Sequence, residues 1–227
     1  MTSVAMVGLV IVAAAYFSVP AHAQTADDSL KIYAVNVVKT PPLQKPVTGD
    51  GIYLGEGVVI TAAHVVGHWP FFTRPHVLIG GQDLPGRIIK EGSFETTDLA
   101  LLSVEDAQLP VSLRLRRNPL CKEAPKIGML VIDVDAAGTM RAQVISPLTI
   151  APELRTRFDT LISSEEGSGS GLFDAERKCL VGIMSAKIPK FNYQLNNGRM
   201  AVTADGFAGY FVSASKIANF IPENLRF

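Results

Sequence analysis

Past an apolar opening, the chain settles into short aliphatic and β-branched runs, each broken within a few residues by glycine, proline or asparagine. Short runs between turn residues predict strands rather than helices. We expect strands over residues 32–38, 51–54, 57–61, 77–79, 86–89, 99–103, 129–134, 140–145, 160–163, 171–173, 180–185 and 209–213. Turns are expected at Pro41-Pro42, Gly80-Gly81, Pro85-Gly86, Ala136-Ala137-Gly138 and Asn196-Asn197-Gly198. Only the stretch from Ser215 to Ile221 spaces its apolar residues as a helix does, with Ile217, Phe220 and Ile221 on one face. A dozen strands fill two small barrels better than one, and the proline-rich stretch from Leu109 to Pro125 is the expected connection between them.

The opening itself follows a different rule. Residues 1–23 contain no Asp, Glu, Lys or Arg and end on Pro20-Ala21-His22-Ala23, a small-x-small pattern, so they predict a secretory signal peptide cut before Gln24. The alternative is a retained anchor, but the apolar stretch is short for a span of about 20 residues. Export leads to a secreted or periplasmic, oxidising destination. Cys121 and Cys179, the two cysteines of the chain, lie 58 residues apart, and their pairing as a disulfide is the economical reading; two buried thiols are the alternative.

Composition narrows the function. The 21 basic and 21 acidic side chains balance, which argues against a protein that neutralises nucleic-acid phosphates. Two cysteines outside any CxxC pair exclude a four-thiolate zinc site and a dithiol redox motif. His64 and His68 have the i, i+4 spacing of a helical zinc motif, but Val65 stands where that motif needs a glutamate. His68 and His76 read as loop or surface residues, and we expect no metal or other cofactor.

Three segments carry chemistry. His64 closes an apolar run after Thr61-Ala62-Ala63, where small neighbours let an imidazole emerge from a crowded wall. Asp98 opens the apolar run Leu99-Ala100-Leu101-Leu102, which sets a carboxylate at the edge of a buried strand, where it must cap amides or accept from an ionisable partner. Ser168 lies in Glu166-Gly167-Ser168-Gly169-Ser170-Gly171, whose glycines permit close approach of a ligand backbone. Together these are the parts of acyl transfer. A hydroxyl becomes a nucleophile when an imidazole takes its proton, a carboxylate orients that imidazole, and backbone N–H groups beside the serine hold the oxyanion.

In the order His, Asp, Ser, these blocks resemble the trypsin-like (chymotrypsin-fold) serine peptidases, especially compact bacterial members. Leu180 to Ser185 is similar to the strand lining that family's specificity cleft, and Gly209 to Ser213 followed by a helix is similar to its ending. The resemblance implies an all-β fold of two antiparallel six-stranded β-barrels with a C-terminal helix. The first barrel, over residues 24–112, would carry His64 and Asp98, and the second, over 113–227, would carry Ser168. It further implies an exported serine endopeptidase acting on protein or peptide substrates, with no nucleic-acid partner and no stable membrane association after signal cleavage.

The family's pattern after the nucleophile fits Ser168 and fails from Ser170, so Ser168 is the expected nucleophile. Its oxyanion hole would use the amides of Ser168 and Gly167 and that of Glu166, which stands where the family usually has glycine. A carboxylate at that place opposes an oxyanion, so the alternative function is a catalytically impaired peptidase-like domain that binds proteins. Ile162 and Ser163 are the expected pocket floor, and Ser185, Ala186 and Lys187 the expected strand along substrate backbone.

Overall fold

The computed structural model describes residues 27–41, 43, 45–67, 74–164 and 167–225. The expected signal segment, Pro42, His68 and Glu166 lie outside the described residues. A 3-10 turn over Asp28–Tyr33 precedes thirteen strands: β1 (Ala34–Lys39), β2 (Val47–Gly55), β3 (Val58–Thr61), β4 (His76–Ile79), β5 (Gln82–Pro85), β6 (Arg87–Glu91), β7 (Ala100–Ser103), β8 (Leu130–Val134), β9 (Thr139–Ile145), β10 (Leu161–Ile162), β11 (Gly171–Asp174), β12 (Leu180–Asn196) and β13 (Arg199–Ser213). Short helices α1 (Ala63–Val66) and α2 (Val111–Arg114) follow β3 and β7, and α3 (Ala214–Phe220) follows β13. Among the described residues no helix is long and apolar enough to cross a membrane.

The second sheet is a closed ring of six antiparallel strands, β10-β13-β12-β11-β8-β9. The first differs from a six-stranded ring: it is an open sheet of seven strands in the order β5-β4-β1-β2-β3-β7-β6. Its edge strands β5 and β6 are consecutive in the chain, separated by Gly86 alone. Pro85 has no N–H to continue a ladder, and Gly86 instead donates to the Pro75 carbonyl at 2.7 Å. The sheet therefore curls until its two edges meet at a covalent joint, with no hydrogen-bonded pairing of β5 to β6.

Sequence pattern explains the layering. In β1, Val35 and Val37 face inward while their neighbours are half-exposed, the period of two of a one-sided sheet. The runs of β3 and β11 are buried on both faces, because one face fills its own sheet's interior and the other meets the second sheet. Ile52, Ile60 and Leu101 of the first sheet share one core with Ile132, Phe173 and Ile183 of the second. The sheets are thus joined by a continuous apolar interface. Ile217 and Phe220 of α3 close that core from outside, on the face their spacing predicts. Cys121 and Cys179 form a disulfide, tying the connecting stretch to the second ring beside the Leu120–Leu180 bridge.

Two features were not anticipated. The hairpin β4-β5 turns on Gly80 and Gly81, both at positive φ (56° and 78°), where a turn but no second strand was expected. Strands β12 and β13 run far beyond the expected 180–185 and 209–213 and form a long ribbon turned by Asn197 and Gly198, again both at positive φ (50° and 74°). That is the type I′ geometry favoured by Asn-Gly.

Candidate active site

The site lies where the two sheets meet. At the end of β3, Ala62 is extended and Ala63 starts the single turn α1, which Gly67 ends at φ 59°. Both alanines are buried, and their small size lets the turn sit against the sheet while His64 points outward. Lys39 of β1, itself buried, donates to the Val66 and Gly67 carbonyls and so holds the end of that turn. Burial pushes the Lys39 ammonium down, partly opposed by the charge of Glu91.

Asp98 precedes β7 and faces His64. Its Oδ1 accepts from the His64 backbone N–H at 3.0 Å, and its Oδ2 lies 2.7 Å from His64 Nδ1. The Ser185 hydroxyl donates to the same Oδ2 at 2.5 Å. The carboxylate side chain is 3% exposed and the imidazole 35%. Burial pushes the Asp98 carboxyl up, but the His64 ring bond, the Ser185 hydroxyl, the His64 amide and the attraction of the imidazole outweigh it. The carboxyl is held below its ordinary value of 3.8. An ionised Asp98 keeps the proton of His64 on Nδ1 and leaves Nε2 as the nitrogen able to take another.

Ser168 comes from the other sheet. Gly167 to Ser170 form a turn closed by the Ser170 N–H on the Gly167 carbonyl at 3.2 Å. The loop is clamped to β2: the Asp50 N–H donates to the Ser168 carbonyl at 2.9 Å. Gly169, at φ 94°, packs against the Asp50 carbonyl so closely that a Cβ would stand 1.9 Å from that oxygen. Only glycine fits there without moving the loop off β2. Ser168 and His64 line one cavity of about 240 Å³ together with Asn36, Asp50, Val65 and Gly167. The Ser168 hydroxyl donates to the Ser185 carbonyl at 3.3 Å. Ser170, by contrast, is fully buried and donates to Asp133 Oδ1 at 2.7 Å, while Ser164 donates to Asp133 Oδ2 at 3.1 Å.

The structure thus brings His64 and Asp98 into direct contact and sets Ser168 and Gly167 on the same cavity as His64. Ser185, on β12, is tied to Ser168 through its carbonyl, with Ala186 half-buried and Lys187 exposed next along the strand. Ile162 is fully buried in the core of the ring, and Ser163 is engaged with β9, its amide and hydroxyl bonded to Gln143. His76 is exposed and pairs with Asp83 at 2.9 Å. A larger cavity, about 440 Å³, lies between the connecting stretch and α3, lined by Leu54, Pro119, Leu120 and Ile221 with the cationic side chains Arg117 and Lys122.

Sequence reasoning missed three contributors, Asp50, Phe94 and Arg157, and expected Ser185 beside substrate backbone but not as a donor to Asp98. Ser185 donates to Asp98, and Asp50 brings a carboxylate to the cavity, where it accepts from Asn36 Nδ2 at 3.2 Å and the Ala136 amide at 3.4 Å. Phe94 meets the His64 ring edge-on at 5.8 Å between centroids, and Arg157 stacks on Phe94 at 5.1 Å while donating to its carbonyl at 2.9 Å. None of these has a local signal. Each depends on a partner at least a dozen residues away in the chain.

The sequence matches no family model and no curated protein. Solved structures are similar in fold. The active form of the Rv3671c protease from M. tuberculosis superposes with a TM-score of 0.58 at 19% identity, over 85% of this chain and 80% of that one. Neuropsin, a serine protease of mouse brain, gives 0.58 at 13% identity over 88% and 96%. The HtrA-type protease AlgW gives 0.58 at 18% identity over 85% of this chain and 60% of its own. The chain therefore has the two-sheet chymotrypsin fold of the trypsin-like serine proteases.

Proposed function

We propose that the protein is an exported serine endopeptidase in which Ser168 is the nucleophile, His64 the general base and Asp98 the group that orients His64. The observation that carries this reading is the pair of hydrogen bonds joining buried Asp98 to His64, whose imidazole opens onto a cavity that Ser168 shares. In the reaction the Ser168 hydroxyl leaves the Ser185 carbonyl, passes its proton to His64 Nε2 and attacks the scissile carbonyl. The imidazolium then returns the proton to the leaving amine, and water repeats the sequence on the acyl-enzyme. The N–H groups of Ser168 and Gly167 are the proposed oxyanion donors, with Glu166 at the third position. The disulfide suits an oxidising, extracytoplasmic destination, and the fold suits protein or peptide substrates.

A second reading, protein binding without cleavage, is favoured by two observations. The Ser168 hydroxyl is bonded to a carbonyl and not to the imidazole, and Asp50 Oδ2 stands 2.5 Å from where a Cβ on Gly167 would lie, so a negative charge borders the proposed oxyanion site. Treatment with a fluorophosphonate, followed by peptide mapping, decides between them. The peptidase reading expects an adduct on Ser168 that disappears in His64→Ala; folded protein without an adduct overturns it.

A further inference from the structure

Beyond Pro189, β12 and β13 leave the ring and, among the described residues, pair only with each other. The register sets Phe191 opposite Ala204, Tyr193 opposite Val202 and Leu195 opposite Met200. Directly opposed residues share a face of a two-stranded ribbon, so one face carries Phe191, Tyr193, Leu195, Met200, Val202 and Ala204. The other carries Asn192 with Thr203 and Gln194 with Ala201. The apolar face is open to solvent and more so toward the tip, with Tyr193 41%, Val202 52%, Met200 68% and Leu195 73% exposed. The charges at the ribbon's root, Lys190 and Asp205, lie 3.9 Å apart and cancel.

The same strand passes through the proposed active site at Ser185. The Ser185 hydroxyl holds Asp98, its carbonyl accepts from Ser168, and Ala186 is paired with Tyr210, which lines the cavity beside Asp98. From Ser185 to Leu195 the chain is one continuous strand, about 33 Å at about 3.3 Å per residue. A polypeptide lying in the cleft is thereby led onto the ribbon. Pro189 offers no N–H to an added strand, and the ladder shifts between Pro189 and Phe191, so recognition past that point falls to side chains rather than to a continuous backbone ladder.

We propose that the ribbon is an exosite that captures extended, unfolded polypeptide through apolar residues at alternate positions and feeds it to the cleft. This rests on the peptidase reading for its consequence in cleavage, but not for the binding itself. The commitment to unfolded polypeptide follows from three features: continuity with the cleft, free strand edges, and an apolar face without charge that suits segments folded proteins bury.

The test replaces Leu195 and Met200, both mostly exposed, by threonine, which keeps strand propensity while removing the apolar surface. With β-casein as substrate, Leu195→Thr/Met200→Thr is expected to lose at least tenfold in kcat/KM, mainly through KM, while a blocked hexapeptide containing one of the cleaved bonds is hydrolysed at the unchanged rate. In the Ser168→Ala background, fluorescence anisotropy with labelled, reduced and carboxymethylated α-lactalbumin is expected to show at least tenfold weaker binding on the same substitutions. Unchanged binding with intact hexapeptide cleavage overturns the exosite and leaves the peptidase reading standing. Loss of binding in a protein that cleaves nothing overturns the peptidase reading and leaves capture standing. Unchanged polypeptide binding, with ribbon-dependent sedimentation on anionic vesicles or ribbon-dependent dimerisation, overturns the exosite in favour of a lipid surface or a second copy.

Discussion

The two sheets hold their halves of the site in different ways. On the first, His64 is held mainly from its own sheet: a buried carboxylate takes both the amide and the ring nitrogen of the same residue, Lys39 secures the turn that carries it, and the Ser185 hydroxyl of the second sheet adds one donor to that carboxylate. On the second, the Ser168 loop is bonded to its own sheet, through the Gly169 N–H on the Met184 carbonyl at 2.9 Å, and is also clamped across to the first, through the Asp50 amide and the tight seat of Gly169. The base is thus held mostly by its own sheet, while the nucleophile depends in addition on the mating of the sheets. The disulfide adds to the contrast, since it staples only the second ring to the connecting stretch.

That contrast breaks most sharply at Asp98. Asp98→Asn keeps the shape but offers His64 an amide donor, which drives the ring proton to Nε2 and leaves no base facing Ser168. On the proposed mechanism kcat should fall about 10⁴-fold with the fold intact, measured by steady-state hydrolysis alongside circular dichroism. The next largest effect should be thermodynamic: Cys121→Ser/Cys179→Ser opens a loop of 58 residues and should lower stability by about 4 kcal/mol in the chain-entropy account. Urea unfolding checks this, and the His64–Asp98 couple should survive it at low denaturant.

Gly169→Ala probes the mating itself. The new methyl meets the Asp50 carbonyl and Thr61 Oγ1, at a φ that disfavours side chains, so a loss of about 2 kcal/mol in stability is expected. Activity should fall further than that of an equally destabilised variant of the distant strand β4, because the clamp on Ser168 moves.

Ser185→Ala should give the smallest effect, on the order of 1 kcal/mol. It removes a hydrogen bond that favours ionised Asp98, so the carboxyl rises toward its ordinary value. The sign follows from linkage: a depressed carboxyl stabilises the fold above its ordinary pKa, and that stabilisation is lost as pH falls through the folded value. The variant should therefore be less stable than the parent at pH 7, and the gap should close below about pH 4, as urea midpoints across that range would show.

Much of this was legible in the chain. Short β-branched runs, the Ala62-Ala63 pair before His64, the apolar run after Asp98 and the glycines around Ser168 are local signals with local causes. The ribbon also carries a local signal: Phe191, Tyr193 and Leu195 alternate with Asn192, Gln194 and Asn196 ahead of an Asn-Gly turn, and Met200 and Val202 repeat the period of two beyond it. Strand β5 left less, because Gln82-Asp83-Leu84-Pro85 holds a single buried apolar residue, Leu84, and earns its ladder from β4 alone.

The sequence by itself determined the strand-rich class, the candidate chemical groups and the terminal helix, because each rests on residues adjacent in the chain and on the period their burial imposes. Tertiary structure alone decided that the first sheet closes through Gly86 and not through paired edges. It also decided that Ser170 is sealed against Asp133 while Ser168 reaches the cavity, and that Ser185 and Phe94 flank the Asp98–His64 couple. Those outcomes depend on which distant segments come within hydrogen-bonding or contact distance, and that is set by the packing of one sheet on the other.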